Sequence, residues 1–146
     1  MKLDSAKKVM SGTWSEIWLD GEQVGEAYGF QAKISANKEK IELCGQMWTD
    51  HKVMSIEGTG SLRMHKVNSR MTLLLGEALA KGQDPRFTIV EKQADPDADG
   101  VERIALTGVS FDDLTLADWE AGQVGKVECP FTFSGYKTLD TIQPRT

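Results

Sequence analysis

The chain has 146 residues, of which 40% are hydrophobic and 27% charged, and its formal net charge is −5. This length supports one domain with its own core, and the acidic balance argues against a nucleic-acid-binding module, which normally carries a basic face. No apolar run is long enough to cross a bilayer, and the first residues lack the apolar segment of a signal peptide, so we expect synthesis in a reducing cytoplasm.

Residues 1–12 are polar and without periodicity, which indicates an N-terminal arm that is mobile in the free monomer. Residues 13–19 and 23–35 then have the composition of two strands. Asp20 and Gly21 between them form a dipeptide typical of a two-residue hairpin turn. We therefore predict a β-hairpin directly after the arm.

The first of these strands has large apolar side chains on both of its faces. Alternation places Trp14 and Trp18 on one face with Glu16, and Ile17 and Leu19 on the other. A half-solvated strand would be apolar on one face only. We therefore expect the second face to be covered, either within the monomer or by another subunit.

Residues 37–52 begin with charged side chains and continue into a segment that contains Met47 and Trp48. We interpret residues 40–44 as a short strand that leads into a long loop, and long loops in compact domains are often functional. Met47 and Trp48 either pack against their own domain or contact a partner, and the sequence leaves both alternatives open. Cys44 and the distant Cys129 could pair, but without a secretion signal both are predicted to be small buried hydrophobes, and no metal-ligand spacing includes them.

Residues 53–67 are predicted to form a long strand that contains Gly58 and Gly60. Interior glycines weaken a strand unless it bends or another backbone approaches closely. Alternation gives this strand a continuous polar face, which we expect to meet water and which consists of Glu57, Thr59, Ser61, Arg63 and His65. His65 is interpreted as a solvated residue, since no neighbouring carboxylate or nucleophile supports catalysis.

Residues 68–81 are predicted to form one amphipathic helix. Asn68 or Ser69 is a suitable N-cap, and Gly82 is a suitable stop. We expect the helix to pack on a sheet through an apolar stripe at helical spacing, formed by Met71, Leu74, Leu75, Ala78 and Leu79.

The segment ADPDADG, residues 94–100, resembles the start of an EF-hand calcium loop. The ninth and twelfth loop positions fall on Arg103 and Leu106, whose side chains cannot bind calcium, and the flanking residues have strand composition. We therefore predict a hairpin turn, in which Gly100 supplies backbone freedom. A calcium-dependent module is the alternative that these residues disfavour.

The last regular segment, residues 127–136, alternates apolar and polar side chains, which is typical of a strand with one buried face. Together the elements predict a mainly β fold, a barrel or sandwich with one packed helix. The chain contains no nucleophile elbow or glycine-rich phosphate loop, and the adjacent Asp112 and Asp113 would point to opposite faces of a strand. We predict no enzymatic activity, no catalytic or metal-binding residues and no cofactor.

Six segments spread over residues 12–142 resemble, in the same order, the tail tube protein of contractile-tailed bacteriophages. They are GTWSEIWLDGEQVGEAYGFQAKI, CGQMW, GTGSLRMHKVNSRM, DPRFTIVEKQADPDADGVERIAL, VSFDDLTLADWEAG and PFTFSGYKTLDTI. The similarity is to the variety found in defective phage-like elements and phage-tail-like bacteriocins. It implies a single tail tube domain over residues 1–146, with a β-barrel-like fold and one helix, assembled into hexameric rings.

In that family the rings stack into a hollow tube inside a contractile sheath. The resemblance therefore implies partners in further copies of the chain and in sheath, baseplate and tail terminator proteins. It also implies DNA that passes through the lumen without specific binding in a phage, or an envelope-penetrating tube in a bacteriocin, without stable membrane insertion. The expected location is the bacterial cytoplasm during synthesis, then a virion or an extracellular tail-like particle.

The resemblance gives the unusual residues an expected role. The polar face of residues 57–65 is expected to line the lumen, and the long loop of residues 37–52 to contact the next ring. Trp14, Trp18, Met47 and Trp48 are expected at interfaces between subunits. The alternative is a small β-barrel that binds an apolar ligand, which explains the alternation but not the doubly apolar strand or the long loop.

Overall fold

A computed structural model describes residues 5–144 of the chain. It contains eight strands, one α-helix and two short 3-10 turns, at Ala6–Lys8 and Gly12–Trp14. The predicted mainly β fold with a single helix is confirmed. The strands are β1 (Ser15–Leu19), β2 (Glu22–Gln23), β3 (Ala27–Ile41), β4 (Asp50–His65), β5 (Phe87–Gln93), β6 (Glu102–Phe111), β7 (Lys126–Phe133) and β8 (Gly135–Asp140), and the helix is α1 (Arg70–Ala80).

The strands form one open antiparallel sheet in the order β2-β1-β5-β6-β7-β4-β3, and β8 also pairs with β6. The sheet changes partners along β6: residues Arg103–Thr107 pair with β8, whereas Ser110 and Phe111 pair with β7. Because both halves contribute to the same buried cluster, the sheet folds back on itself around one core. The barrel stays open, since its terminal strands β2 and β3 are not paired with each other.

Aromatic rings fill the centre of the core. Phe131 is 1% exposed, and its ring centroid lies 5.8 Å from that of Phe30, 6.0 Å from that of Phe111 and 6.3 Å from that of Phe133. These distances are within the range in which aromatic pairs attract beyond their area burial. The other buried apolar residues are Ile17, Leu19, Val24, Leu62, Met64, Met71, Leu75, Phe87, Ile89, Leu106, Val109 and Cys129.

The predicted turn at Asp20 and Gly21 is confirmed, with both residues at positive φ, 49° and 85°, as a type I′ turn requires. The strand predicted over residues 23–35 is interrupted, however. Its chain leaves the sheet after β2 so that Val24 enters the core, where the Val24 amide donates to the Ile17 carbonyl. Pairing resumes only at β3.

The long loop predicted over residues 37–52, and the short strand predicted over 40–44, are wrong in their bounds. Strand β3 continues to Ile41 and β4 begins at Asp50, so the connecting loop is residues 42–49. The charged composition favours a loop when only the sequence is considered. Both faces of this two-stranded segment are exposed in the monomer, however, and a solvated strand tolerates charge. Cys44 lies in the loop and is exposed, so its predicted burial is also wrong; Cys129 is buried as predicted.

Both interior glycines of β4 lie where another part of the chain approaches closely, and at Gly58 this is an aromatic ring and not the backbone expected from the sequence. A Cβ atom on Gly58 would lie 2.5 Å from Cε2 of Phe133. A Cβ on Gly60 would lie 2.6 Å from Cζ of Phe131 and would collide with the carbonyl oxygen of Gln31. The aromatic rings of β7 therefore pack directly on the β4 backbone.

Helix α1 lies within the predicted residues 68–81. The side chain of Asn68 accepts from the Arg70 amide at 3.1 Å, and Gly82 follows the helix at a φ of 73°. The predicted stripe is only partly covered: Met71 and Leu75 are buried in the core, Ala78 is half-buried, and Leu74 and Leu79 are exposed. Within residues 5–144, no helix is long and apolar enough to cross a membrane.

The aspartate-rich segment connects β5 to β6 as the predicted hairpin turn. It also holds the N-terminal arm, because the Asp95 carboxylate accepts from the Ser11 amide at 2.8 Å and Lys8 pairs with Asp99 at 3.1 Å. Residues 5–12 of the predicted mobile arm thus pack against their own domain. Residues 1–4 of that arm lie outside the described residues.

Candidate assembly surfaces

The predicted polar residues of β4 share one face of the sheet. On the opposite face of the same strand, Leu62 and Met64 are buried in the core. The register extends the polar face to both neighbouring strands, with Lys33 and Thr132 flanking Thr59, and Glu128 facing Arg63. The five predicted residues Glu57, Thr59, Ser61, Arg63 and His65 are therefore brought together, and β3 and β7 widen the surface that they form.

The charges on this polar face nearly balance. Glu57 and Glu128 oppose the cations Lys33, Arg63 and Lys126 across β3, β4 and β7. The Ser61 hydroxyl lies 3.4 Å from a carboxylate oxygen of Glu128. At the end of the face the His65 ring packs 4.7 Å from that of Tyr28, whose ring also lies 5.4 Å from the Lys126 ammonium. The face is polar without a strong field of either sign.

Arg63 departs from the simple picture of a side chain that stands in solvent. Its guanidinium lies across Gly29, where a Cβ would be only 2.7 Å from Nε. Among the residues that the structure describes, Arg63 Nε is buried and has no hydrogen-bond partner. The side chain therefore leans toward the free edge of β3, a tertiary detail that alternation alone does not give.

The distal halves of β3 and β4 form a two-stranded hairpin that projects from the domain. Pairing of β4 with β7 stops at Gly58 and Phe133, so beyond this point β4 has only β3 as a neighbour. Residues 31–57 are exposed without interruption. At the tip, Met47 is 100% and Trp48 89% exposed, which excludes the alternative that they pack against their own domain.

The two tryptophans predicted at interfaces lie elsewhere, at the start of the sheet. Trp18 is half-buried on β1, and its neighbours Ile17 and Leu19 face the core. Trp14 lies in the 3-10 turn before the strand and is 52% exposed, so the prediction that it shares a strand face with Trp18 is wrong. The chain turns there because the Ser11 hydroxyl accepts from the Thr13 amide.

A groove of about 840 Å³ lies between the free edge of β3 and the strands β1, β5 and β6. Its wall includes Glu91, which is only 7% exposed, together with Gln93 and Glu102. Burial raises the pKa of the Glu91 carboxyl, the charge of Glu102 adds to this, and a hydrogen bond with Gln93 opposes it. A groove with carboxylates on its wall is a poor container for an apolar ligand.

Residues 112–125 connect β6 to β7 and form a further exposed surface that the sequence patterns do not indicate. The segment carries four acids and no cation. Leu116 is 73%, Trp119 83% and Val124 70% exposed, whereas Leu114 packs on the core. A run of acids interleaved with large apolar residues was the signal available in the sequence, but it has no periodicity that would single it out.

Known structures with the same fold are tube components. The chain superposes on a chain of the tube-terminating cap of the anti-feeding prophage with a TM-score of 0.72 at 10% identity, covering 96% of this chain and 97% of that one. It superposes on a chain of the sheath–tube complex of the extracellular contractile injection system PVC with a TM-score of 0.69 at 9% identity, covering 93% and 95%. The fold is that of the tube proteins of contractile injection systems.

The sequence comparisons identify the family. Residues 3–140 match the model of the phage tail tube protein family. The phage-like element PBSX protein XkdM of Bacillus subtilis strain 168 is 32% identical over 139 residues, which span 94% of this chain and 95% of the relative. This chain therefore belongs to the phage tail tube protein family, and the resemblance read from its sequence is confirmed. The family and its structural neighbours are structural tube proteins rather than enzymes.

Proposed function

We propose that this chain forms the inner tube of a contractile phage tail or phage-tail-like particle, as hexameric rings that stack into a hollow cylinder. The observation that carries this proposal is the projecting hairpin, in which residues 31–57 are exposed and apolar side chains reach solvent. An isolated two-stranded hairpin is only marginally stable in water, and an exposed strand edge is a template for pairing with another chain. Neighbouring copies would supply the missing support.

In the proposed tube, the polar face centred on Glu57, Thr59, Ser61, Arg63 and His65 lines the lumen. Its near balance of charge is suited to the passage of DNA, because a basic bore would retain DNA through its phosphates. The apolar core lies behind the sheet, on the side away from the proposed lumen. The chain is a conduit for DNA in a phage or an envelope-penetrating tube in a bacteriocin.

The contacts between copies follow from the exposed apolar residues. Met47 and Trp48 at the hairpin tip are proposed to contact the adjacent ring, and Trp14 and Trp18 a neighbouring subunit. Sheath, baseplate and terminator proteins are the proposed further partners, because the structural neighbours come from a sheath–tube complex, a baseplate and a tube cap. The proposed locations are the bacterial cytoplasm during synthesis and the virion or extracellular particle afterwards.

The test combines light scattering with negative-stain electron microscopy of the purified protein, with and without baseplate–tube seeds. Wild-type protein is expected to give rings or tubes with six-fold end views, either spontaneously or by extending the seeds. Replacing residues 42–49 by Asn-Gly closes the hairpin with a two-residue turn and is expected to leave a folded monomer that does not polymerise. The matched control, Met47→Leu with Trp48→Phe, keeps the tip apolar and should still assemble.

Two outcomes would contradict the proposal at different levels. Normal tubes from the shortened hairpin would remove the contact assigned to the tip but leave the tube itself standing. A wild-type protein that stays monomeric and also fails to extend seeds would remove the tube. Saturable, stoichiometric binding of a hydrophobic dye would then favour the ligand-binding alternative.

A further inference from the structure

The projecting hairpin has one face that continues the core side of the sheet and that no part of residues 5–144 covers. Strand alternation places this face on the same side as Leu62 and Met64, and a bulge at Met54 brings Val53 and Met54 together opposite Lys38. We call it the hairpin face. It consists of Ile34, Ala36, Lys38 and Lys40 on β3 and of His51, Val53, Met54 and Ile56 on β4.

The hairpin face is apolar and cationic. Val53, Met54 and Ile56 are 49%, 58% and 64% exposed, and Lys38 and Lys40 lie toward the tip. None of its eight residues is a carboxylate, and the nearest acid to Lys40 is Glu42 of the adjoining loop, whose carboxylate lies 3.4 Å from the Lys40 ammonium. The Phe131 and Phe133 rings of β7 cover Gly60 and Gly58 of β4. Because β7 ends at Phe133, it supplies no ring to cover the hairpin face beyond this point. The apolar surface therefore begins where the chain's own aromatic layer ends.

A second surface has the opposite chemistry. The acidic segment, residues 112–125, combines the exposed Leu116, Trp119 and Val124 with four acids and no cation. Its charge accounts for most of the net charge of −5 of the whole chain. Leu114 holds the segment against α1, since its Cδ2 atom lies 3.8 Å from the position of a Cβ on Gly76.

We propose that the hairpin face of one copy packs on the acidic segment of a second copy, an inference that rests on the proposed tube. Each surface exposes large apolar side chains, and the charges that flank them are opposite in sign. Different surfaces meet in such a contact, so it is heterologous and repeats from copy to copy, as a ring or stack requires. Lys38 and Lys40 pair with Asp118 and Glu120, and Trp119 packs among Val53, Met54 and Ile56.

The position of the two surfaces supports a contact within the tube wall. Helix α1 packs on the side of β4 that carries Met64, because its Met71 and Leu75 belong to the same core as Met64. His65 lies on the opposite side of β4. The acidic segment lies against this helix, and the hairpin face continues the same side of β4. Both surfaces thus face away from the proposed lumen. A second copy satisfies both at once, whereas a different partner would leave one of them uncovered.

The experiment reverses charges on each surface, singly and together, in the full chain. The hairpin variant is Lys38→Glu with Lys40→Glu, and the segment variant is Asp118→Lys with Glu120→Lys. All four residues are exposed, so the monomers are expected to fold, and circular dichroism confirms this before assembly is measured. The control is Lys52→Glu, which reverses a charge on the opposite face of the same hairpin, where Lys52 lies opposite Glu39 in the strand register.

Assembly is followed by light scattering over a range of protein concentrations with baseplate–tube seeds. Each double reversal is expected to raise the concentration for half-maximal assembly by about tenfold or more, because like charges then meet across the contact. The chain that carries both reversals should return to within about threefold of wild type, as should the control. Trp119→Ala, which changes no charge, should also raise this concentration.

The outcomes separate this proposal from the tube itself. If the wild-type protein forms tubes and neither reversal has an effect, the pairing is overturned and the tube is left intact. The same conclusion follows if combining the two reversals does not rescue assembly. An effect of the segment variant only on binding of a sheath protein, with normal tube assembly, would assign residues 112–125 to that partner and equally overturn the pairing. Wild-type protein that never assembles would remove both.

Discussion

Adding one methyl group to the β4 backbone at Gly60 should destabilise the domain more than its size suggests. The Cβ of Gly60→Ala would collide with the carbonyl oxygen of Gln31 on β3 and lie 2.6 Å from Cζ of Phe131. Neither neighbour can move freely, because the carbonyl belongs to a paired strand and Phe131 is 1% exposed among three other rings. Overpacking of a close-packed core costs about 1–3 kcal/mol, and we expect the upper part of that range.

The measurement is equilibrium unfolding in urea, supported by thermal melting followed by circular dichroism. For a chain of this size a loss of about 3 kcal/mol corresponds to a fall in Tm of roughly 6–12 °C. The matched control is Gly25→Ala, since no atom lies within 4 Å of its added methyl group and its φ is not positive. Its free energy of unfolding should stay within about 1 kcal/mol of wild type. A Gly60→Ala protein within about 0.5 kcal/mol of wild type would refute the packing argument.

Two further predictions concern titratable groups. Burial raises the pKa of the Cys129 thiol to about 11, and the charges of Asp113 and Glu128 contribute. At pH 8 the native chain should therefore react with one equivalent of a thiol reagent, through the exposed Cys44, and with a second equivalent only after unfolding. Rapid reaction with two equivalents would contradict the burial of Cys129. Burial also raises the pKa of the Glu91 carboxyl, so the folded state holds the carboxyl proton more tightly than the unfolded state does. The stability that the protonated carboxyl contributes is lost as pH rises through the folded pKa. Glu91→Gln should therefore be more stable than wild type to urea at pH 7, with the difference vanishing below about pH 4, and a variant that is equally stable at pH 7 would show that the carboxylate is not penalised.

The elements predicted from the sequence are those whose signal is local. The Asp20-Gly21 turn follows from the backbone preference of two residues, and the polar face of residues 57–65 follows from a period of two. Helix α1 is found by its spacing, but the spacing does not tell how much of the stripe is covered, and Leu74 stays exposed. Coverage depends on which other elements reach the helix.

The errors have a common physical origin in surfaces that the monomer leaves exposed. The sequence predicts a long loop over residues 37–52 with a short strand at residues 40–44, although residues 37–41 and 50–52 are all strand, because strand patterns are recognised by one buried face and this hairpin has none in the monomer. The sequence predicts a strand that includes Trp14, although a local hydrogen bond from the Thr13 amide to the Ser11 hydroxyl bends the chain there. Residues 112–125 give no helix or strand signal in the sequence, because an irregular segment has no period to detect.

The same residues of β3 must meet two opposing demands. Before assembly, an exposed strand edge of fifteen residues invites uncontrolled pairing, and lysines along such an edge are a common protection against it. Lys33, Lys38 and Lys40 supply that charge on β3, so the free chain repels copies of itself that approach edge to edge. The protection need not oppose correct assembly if the docking surface presents carboxylates to these lysines, as residues 112–125 do in the proposed contact. Charge on the hairpin would then favour the ordered contact over uncontrolled pairing of strand edges. Reversing the charges on both surfaces together should therefore restore tubes, whereas reversing them on one surface should not.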